Sequence, residues 1–185
     1  MKSAVMDACV LYSAFLRDLT MRLTVAIVFQ PKWTEQIHDE WMRNVLLNRP
    51  DLAREPLERT RNLMNHWGRD CIVTEYEALI PTLSLPDADD RHVLAAAIRA
   101  KAPVIVTFNL SDFPEMVLSP YGIVALHPDV FLCQLMDEEE ERFLVGVQRH
   151  RASLHRPPQT ETEYLQALKR NRLPTLAERL LSFTF

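Results

Sequence analysis

Short apolar runs that alternate with helical patterns restrict the fold of this chain more than any other feature. Residues 3–6, 104–108 and 123–126 are mostly apolar and too short for helices, which predicts buried strands. A helical pattern follows the first and the last of them, and strands that alternate with helices form mainly parallel sheets. The predicted fold class is therefore α/β, a three-layer α/β/α arrangement in which a mainly parallel sheet is the central layer.

Apolar residues at helical spacing predict the helices of this arrangement. Thr34 is a predicted N-cap, and Pro31, Gly68 and Pro103 each end a helical pattern. The predicted helices cover residues 11–29, 35–47, 55–67, 88–101 and 128–136, and two short β-prone pieces lie at 71–74 and 79–80.

Five consecutive acidic residues at 137–141 mark a change in the sequence pattern. Beyond them the apolar spacing predicts only helices, at residues 138–153, 161–171 and 173–181. We therefore predict an α/β domain over residues 1–136 and an all-helical C-terminal extension over residues 137–185.

Residue counts exclude several classes of function. The 185 residues include three glycines, too few for a dinucleotide-binding or Walker A phosphate loop. The three cysteines are far apart, which disfavours a zinc site and a disulfide framework. A formal net charge of −4 gives no global positive field for nucleic acid or membranes. No apolar run approaches the ~20 residues that span a bilayer, so we expect a cytoplasmic protein without a membrane partner.

Acidic and amide residues occur where the apolar periodicity predicts the interior or the edge of the sheet. Asp7 follows the first strand directly, and ligands bind at the carboxyl edge of such sheets. Glu40 flanks the apolar stripe of its helix, and Asp90 lies on the stripe of the helix that follows it. Asn109 and Asp112 come just after the strand at 104–108.

Each of these positions also has a local explanation. Asp7 and Asp87 are good helix caps, and Arg43 is within reach of Glu40 on one helix. Asn and Asp are common turn residues in any loop. His92 is close to the acids in sequence but faces away from the apolar stripe, so we expect it at the surface or behind the site.

Taken together, the strand ends bring these carboxylates to one edge of the sheet. Acids that converge without lysine or arginine repel one another, and a divalent cation compensates for that repulsion. Oxygen ligands suit Mg²⁺ or Mn²⁺ rather than zinc. Such ions catalyse the hydrolysis of phosphodiesters, which is the reaction class that the pattern favours.

The sequence resembles the PIN-domain nucleases, over about residues 3–135. It is most similar to the VapC-type toxins of bacterial toxin–antitoxin pairs, in the branch with a helical C-terminal extension. The motifs that carry the resemblance are residues 5–11, 37–41, 87–97 and 104–113.

The resemblance implies a Mg²⁺- or Mn²⁺-dependent endoribonuclease that forms homodimers and binds RNA as substrate. It also implies a small antitoxin protein that inserts into the active-site groove. Cys9 stands where much of the family has Asn. The implied catalytic and metal-binding residues are Asp7, Glu40, Asp90 and Asp112, with Thr107 and Asn109 as supporting residues and Asp87 and Asp89 as auxiliary ones.

The extension contains the most basic stretch of the chain. Arg149, Arg151 and Arg156 are candidates for contacts with an RNA backbone, although a basic helix face is often simply solvated. The apolar positions of the same helices are suited to packing on the α/β domain or on a second subunit.

Two other classes of function remain open at this stage. A non-catalytic RNA- or protein-binding module on the same scaffold would bind RNA without cutting it. A receiver-like phospho-acceptor domain also gathers acids at a sheet edge, but it needs a lysine after a later strand, whereas Lys101 precedes one.

Overall fold

A four-stranded parallel sheet lies at the centre of the fold. The computed structural model describes residues 2–155 and 158–185. The strands are β1 (Lys2–Met6), β2 (Phe29–Lys32), β3 (Val104–Val106) and β4 (Val124–Leu126), in the order β2-β1-β3-β4. Ala4 of β1 is paired with Pro31 on one side and with Val104 on the other. The predicted α/β class is confirmed.

The predicted helix over residues 11–29 is wrong, because it hides a strand. The chain forms two helices there, α1 (Ala8–Leu11) and α2 (Ala14–Val25), and Ile27 then takes a left-handed conformation with φ of 60°. The strand β2 follows, at the edge of the sheet. A proline is tolerated at an edge because its missing N–H donor need not face a neighbouring strand, which explains why Pro31 lies in a strand rather than ending a helix.

The other helices of the first part agree closely with the sequence pattern. Thr34 caps α3 (Glu35–Asn48) as predicted, since its side chain accepts a hydrogen bond from the Ile37 amide at 3.1 Å. The predicted β-prone piece at 79–80 is wrong, because it lies in a 3₁₀ turn, Glu77–Thr82. The remaining helices are α4 (Arg54–Trp67), α5 (Arg91–Ala100), α6 (Glu115–Leu118) and α7 (Pro128–Glu138).

Helices cover both faces of the sheet. On one face α2 and α7 pack on the strands, and the rings of Phe29 and Phe131 meet edge to face at 5.3 Å between centroids. Helix α5 packs on β1, β2 and β3 from the other side. Val5 and Ile105, at the centre of the sheet, are fully buried between the helix layers. This three-layer core determines the positions at which the strands end.

The C-terminal residues are helical, as predicted, and they pack on the α/β layers. Their helices are α8 (Glu140–Ser153), α9 (Glu161–Arg170) and α10 (Pro174–Leu180). Gly146 lets α8 approach α2, since a Cβ there would stand 2.8 Å from Leu23 Cδ2. The buried Asp129 carboxylate on α7 accepts hydrogen bonds from the amides of Thr175 and Leu176, both at 2.9 Å. These contacts attach α10 to the rest of the chain.

In the described part of the chain, none of the helices combines the length and the apolar character that crossing a membrane requires.

Candidate active site

Asp7 lies at the carboxyl end of β1 and is almost completely buried, with 3% of its surface exposed. Its Oδ2 atom accepts hydrogen bonds from Thr107 Oγ1 at 2.6 Å and from Cys9 Sγ at 3.1 Å. Burial raises the pKa of Asp7, and these hydrogen bonds oppose that shift. The carboxyl group is therefore held in one orientation at the sheet edge.

Thr107 connects the ends of three strands. Its amide donates to Leu126 O at 3.0 Å, at the end of β4, and its hydroxyl bonds Asp7, at the end of β1. The amide of Asn109 donates to the same hydroxyl oxygen at 3.0 Å, while the Asn109 side chain is exposed. Thr107 therefore links the loop after β3 to the Asp7 carboxylate.

Cys9 donates to the same Asp7 oxygen as Thr107 and lies 3.4 Å from the Thr107 hydroxyl. Besides donating to Asp7, the thiol accepts a hydrogen bond from the Phe108 amide at 3.3 Å. Burial, followed by the charge of Asp7, raises the pKa of Cys9 to about 12, so the sulfur keeps its proton at neutral pH. The two-residue spacing between Asp7 and Cys9 does not predict this contact with the distant Phe108 amide.

Asp90 is half-buried at the start of α5, and the charges of the other acids raise its pKa. The pKa of Asp90 rises to about 7, first because burial desolvates the carboxyl group. The further causes are the negative charges of four neighbours, which are Asp7, Asp87, Asp112 and Glu40. The structure thus brings the predicted acids within electrostatic reach of one another.

Glu40 is half-buried on α3, as the flank of the apolar stripe predicts. Its Oε2 atom lies 3.4 Å from Nε2 of His92. Of the two positions expected for His92, the structure shows the one behind the site, because its side chain is 2% exposed and lies against Glu40. Asp39, the next acid on α3, points outward instead and lies 3.4 Å from Arg54.

The remaining predicted acids lie on turns. Asp112 is half-buried in the 3₁₀ turn Leu110–Asp112, where its Oδ1 atom accepts from Ser111 Oγ at 3.3 Å. Asp87 is exposed and caps the turn Ala88–Asp90 by accepting from the Asp89 amide at 2.8 Å. The Asp89 side chain is exposed and is not among the charges that raise the pKa of Asp90.

The chemistry of this donor set suits a hard divalent cation. Asp7, Glu40, Asp90 and Asp112 offer only oxygen atoms, and no lysine or arginine pairs with them within the described part of the chain. Among residues 2–155 and 158–185, however, no three His, Cys, Asp or Glu side chains stand close enough to form a ready-made metal cage. The charges of Asp7, Asp112 and Glu40 nevertheless act on Asp90.

The predicted RNA-contacting arginines differ in their surroundings. Arg149 is exposed on α8. Arg151 lies 3.5 Å from Glu161 and has its guanidinium group over the Phe185 ring at 5.6 Å. Arg151 is therefore engaged within the C-terminal helices, and Arg156 lies outside the described residues.

Comparison with known proteins identifies this arrangement. The PIN domain family matches residues 3–111, and the VapC50 C-terminal domain family matches residues 128–182. A protein of Mycobacterium tuberculosis (strain ATCC 25618 / H37Rv), named "Putative ribonuclease VapC50", is 62% identical over 52 residues, which make up 28% of this chain and 31% of that protein. No solved structure matches this chain significantly.

The chain belongs to the PIN-domain family, because that family's match covers more than half of its length together with the parallel sheet and its acidic edge. Within that family it is of the VapC type that carries a helical C-terminal extension, here the helices matched over residues 128–182.

Proposed function

We propose that this protein is an endoribonuclease that depends on Mg²⁺ or Mn²⁺ and hydrolyses RNA phosphodiesters. The observation that carries the proposal is the environment of Asp90, whose charge is opposed by four neighbouring carboxylates and, among residues 2–155 and 158–185, is paired with no basic side chain. A protein has little reason to keep such repulsion unless a cation relieves it. Membership of the PIN-domain family and the ribonuclease name of the relative point in the same direction.

The proposed ligands of the cation are Asp7, Glu40, Asp90 and Asp112. When bound, a divalent ion lowers the pKa of water and neutralises the charge of the attacked phosphate. Asp90 and Asp112 are half-buried and lie on turns, so their side chains have room to adjust toward Asp7.

The other residues are proposed to hold these acids in place. Thr107 and Cys9 donate hydrogen bonds to Asp7 and fix its orientation. His92 lies against Glu40 and limits its movement toward solvent. Asn109 continues the loop from Thr107, and Asp87 and Asp89 form the turn that presents Asp90.

We also propose that the protein is the toxin of a toxin–antitoxin pair, with a small antitoxin protein as partner, and that it acts in the cytoplasm as a homodimer. The division into a nuclease domain over residues 1–136 and an extension over residues 137–185 stays a prediction, and α7 continues two residues past that boundary to Glu138.

The direct test is cleavage of a labelled, defined-sequence RNA by the purified protein in Mg²⁺, in Mn²⁺ and in EDTA. We expect internal cuts that require the metal and that stop on chelation. RNA that is bound but stays intact under all three conditions would contradict the nuclease assignment and favour a non-catalytic binding module.

A further inference from the structure

An open cleft adjoins the acidic site on its Cys9 side. Its volume is about 570 Å³, within the range of ~300–1,000 Å³ that is usual for ligand sites. Cys9 lines it, and the Cys9 thiol is 3.1 Å from Asp7. The cleft is therefore directly adjacent to the Asp7 carboxylate. Other residues that line it are Tyr12, Arg49, Phe108, Arg170, Asn171 and Arg172.

The charge of the cleft is opposite to that of the acidic site. Four arginines line it, and no aspartate or glutamate of the described residues does. One of them, Arg17, is buried and donates a hydrogen bond to Tyr12 O at 2.9 Å. Arg49 is paired with Asp51 at 2.7 Å, whereas Arg170 and Arg172 are exposed and form no ion pair with any carboxylate of the described residues. Arginine forks suit phosphate groups, so the cleft can attract a polyanion that the neighbouring acids repel.

Aromatic faces stand beside these arginines. Tyr12 is 39% exposed. The Arg172 guanidinium group lies 4.3 Å above the Phe108 ring, which also meets the His127 ring at 5.1 Å. Cationic grooves with aromatic side chains are typical of sites for single-stranded nucleic acid, because unstacked bases can stack on the rings.

The end of α9 and the turn that follows it hold Arg170 and Arg172 in this position. Ser13 Oγ donates to Asn171 Oδ1 at 2.7 Å, and Asn171 Nδ2 donates to Ala167 O at 2.9 Å. The Arg172 amide donates to Lys169 O at 3.0 Å while its backbone is left-handed, with φ of 63°. The C-terminal helices are thus fastened beside the start of α2, and they complete one wall of the cleft.

We propose that this cleft binds a single-stranded segment of RNA next to the bond that is cut. Arg170 and Arg172 contact phosphates, and Tyr12 stacks on a base. The proposal rests on the proposed function and deepens it: the C-terminal helices, through Arg170 and Arg172, form part of the RNA-binding site.

The test measures binding separately from cleavage. The full chain in EDTA is titrated with a fluorescent 12-nucleotide single-stranded RNA, and fluorescence anisotropy is followed at several salt concentrations. Arg170→Gln combined with Arg172→Asn is expected to weaken binding about tenfold at moderate salt. The slope of log K against log salt should fall by about 1.4, since each lost phosphate contact contributes ~0.7 for single strands. Asn is chosen at 172 because it tolerates positive φ.

Lys169→Gln is the matched control, because it removes one exposed cation from the same helix without touching the cleft. It should change affinity less than twofold. Tyr12→Leu should weaken binding by about fivefold or more, whereas Tyr12→Phe, which keeps the ring, should restore most of it.

The arginine double variant binding RNA as tightly as Lys169→Gln would overturn the inference, whether or not a protein partner binds in the cleft. Metal-dependent cleavage measured at saturating RNA tests the proposed function independently. Affinity that does not change in the cleft variants, with cleavage intact, would contradict only the inference, and tight cleft-dependent binding without any cleavage would contradict only the nuclease proposal.

Discussion

Replacing Asp7 by asparagine is expected to lower metal-dependent RNA cleavage by about 10²–10⁴-fold. Asn has nearly the same shape as Asp, and its carbonyl oxygen can still accept the hydrogen bond from Thr107 Oγ1. The substitution therefore removes the charge at the end of β1 while leaving the fold intact. Single-turnover cleavage of a labelled RNA with enzyme in excess measures the effect directly.

The control for this variant is Asp39→Asn. Asp39 also carries a carboxylate, but it lies on the outer side of α3 near Arg54 and away from the other acids. We expect its cleavage rate to equal that of the wild type. Asp7→Asn protein that is folded, by circular dichroism, and cuts RNA at the wild-type rate would rule Asp7 out as a member of the active site.

Replacing Asp90 by asparagine should stabilise the protein at pH 8 in EDTA. Folding raises the pKa of Asp90 to about 7, so between pH 4 and pH 8 the unfolded chain gives up this proton before the folded one does. The free energy of unfolding of the wild type therefore falls as the pH rises through this range. The Asp90→Asn variant has no titrating group at this position and does not lose this stability. Because Asp90 is half exposed and partly screened, we expect a gain of only about 1–2 kcal/mol.

Thermal unfolding at two pH values measures this effect. The Asp90→Asn variant should melt about 3–6 °C above the wild type at pH 8, and the difference should disappear near pH 4, where the wild-type carboxyl group is protonated. Added Mn²⁺ should raise the melting temperature of the wild type more than that of the variant. Equal melting temperatures of the two proteins at pH 8 in EDTA would contradict the repulsion at Asp90.

Sequence patterns were sufficient to predict three of the four strands. β1 and β3 are short apolar runs that form the central strands, whereas β4 lies at an edge of the sheet and is more exposed than its apolar residues predict. β2 was missed because Phe29 continues the apolar spacing of the preceding helix. The helix ends before a left-handed turn at Ile27. β-branched residues rarely take this conformation, so the sequence does not predict the turn.

The acids of the candidate site can be selected from their positions relative to the predicted strands. The loops after parallel strands lie at one edge of the sheet, so Asp7, directly after β1, and Asp112, in the loop after β3, could be placed at the same edge from their positions alone. Contacts between segments far apart in the chain carry no such signal. The thiol of Cys9 on the Phe108 amide and Ser13 on Asn171 became visible only in the structure.

The proposed reaction depends on a cation bound among these carboxylates, and the most direct test is Mn²⁺ binding followed by electron paramagnetic resonance in the absence of RNA. Wild-type protein should remove free Mn²⁺ saturably, and Mg²⁺ should compete. The Asp7→Asn/Asp90→Asn double variant should leave the free Mn²⁺ signal almost unchanged at the same concentrations. Equal uptake by both proteins, or no uptake by the wild type, would contradict the account.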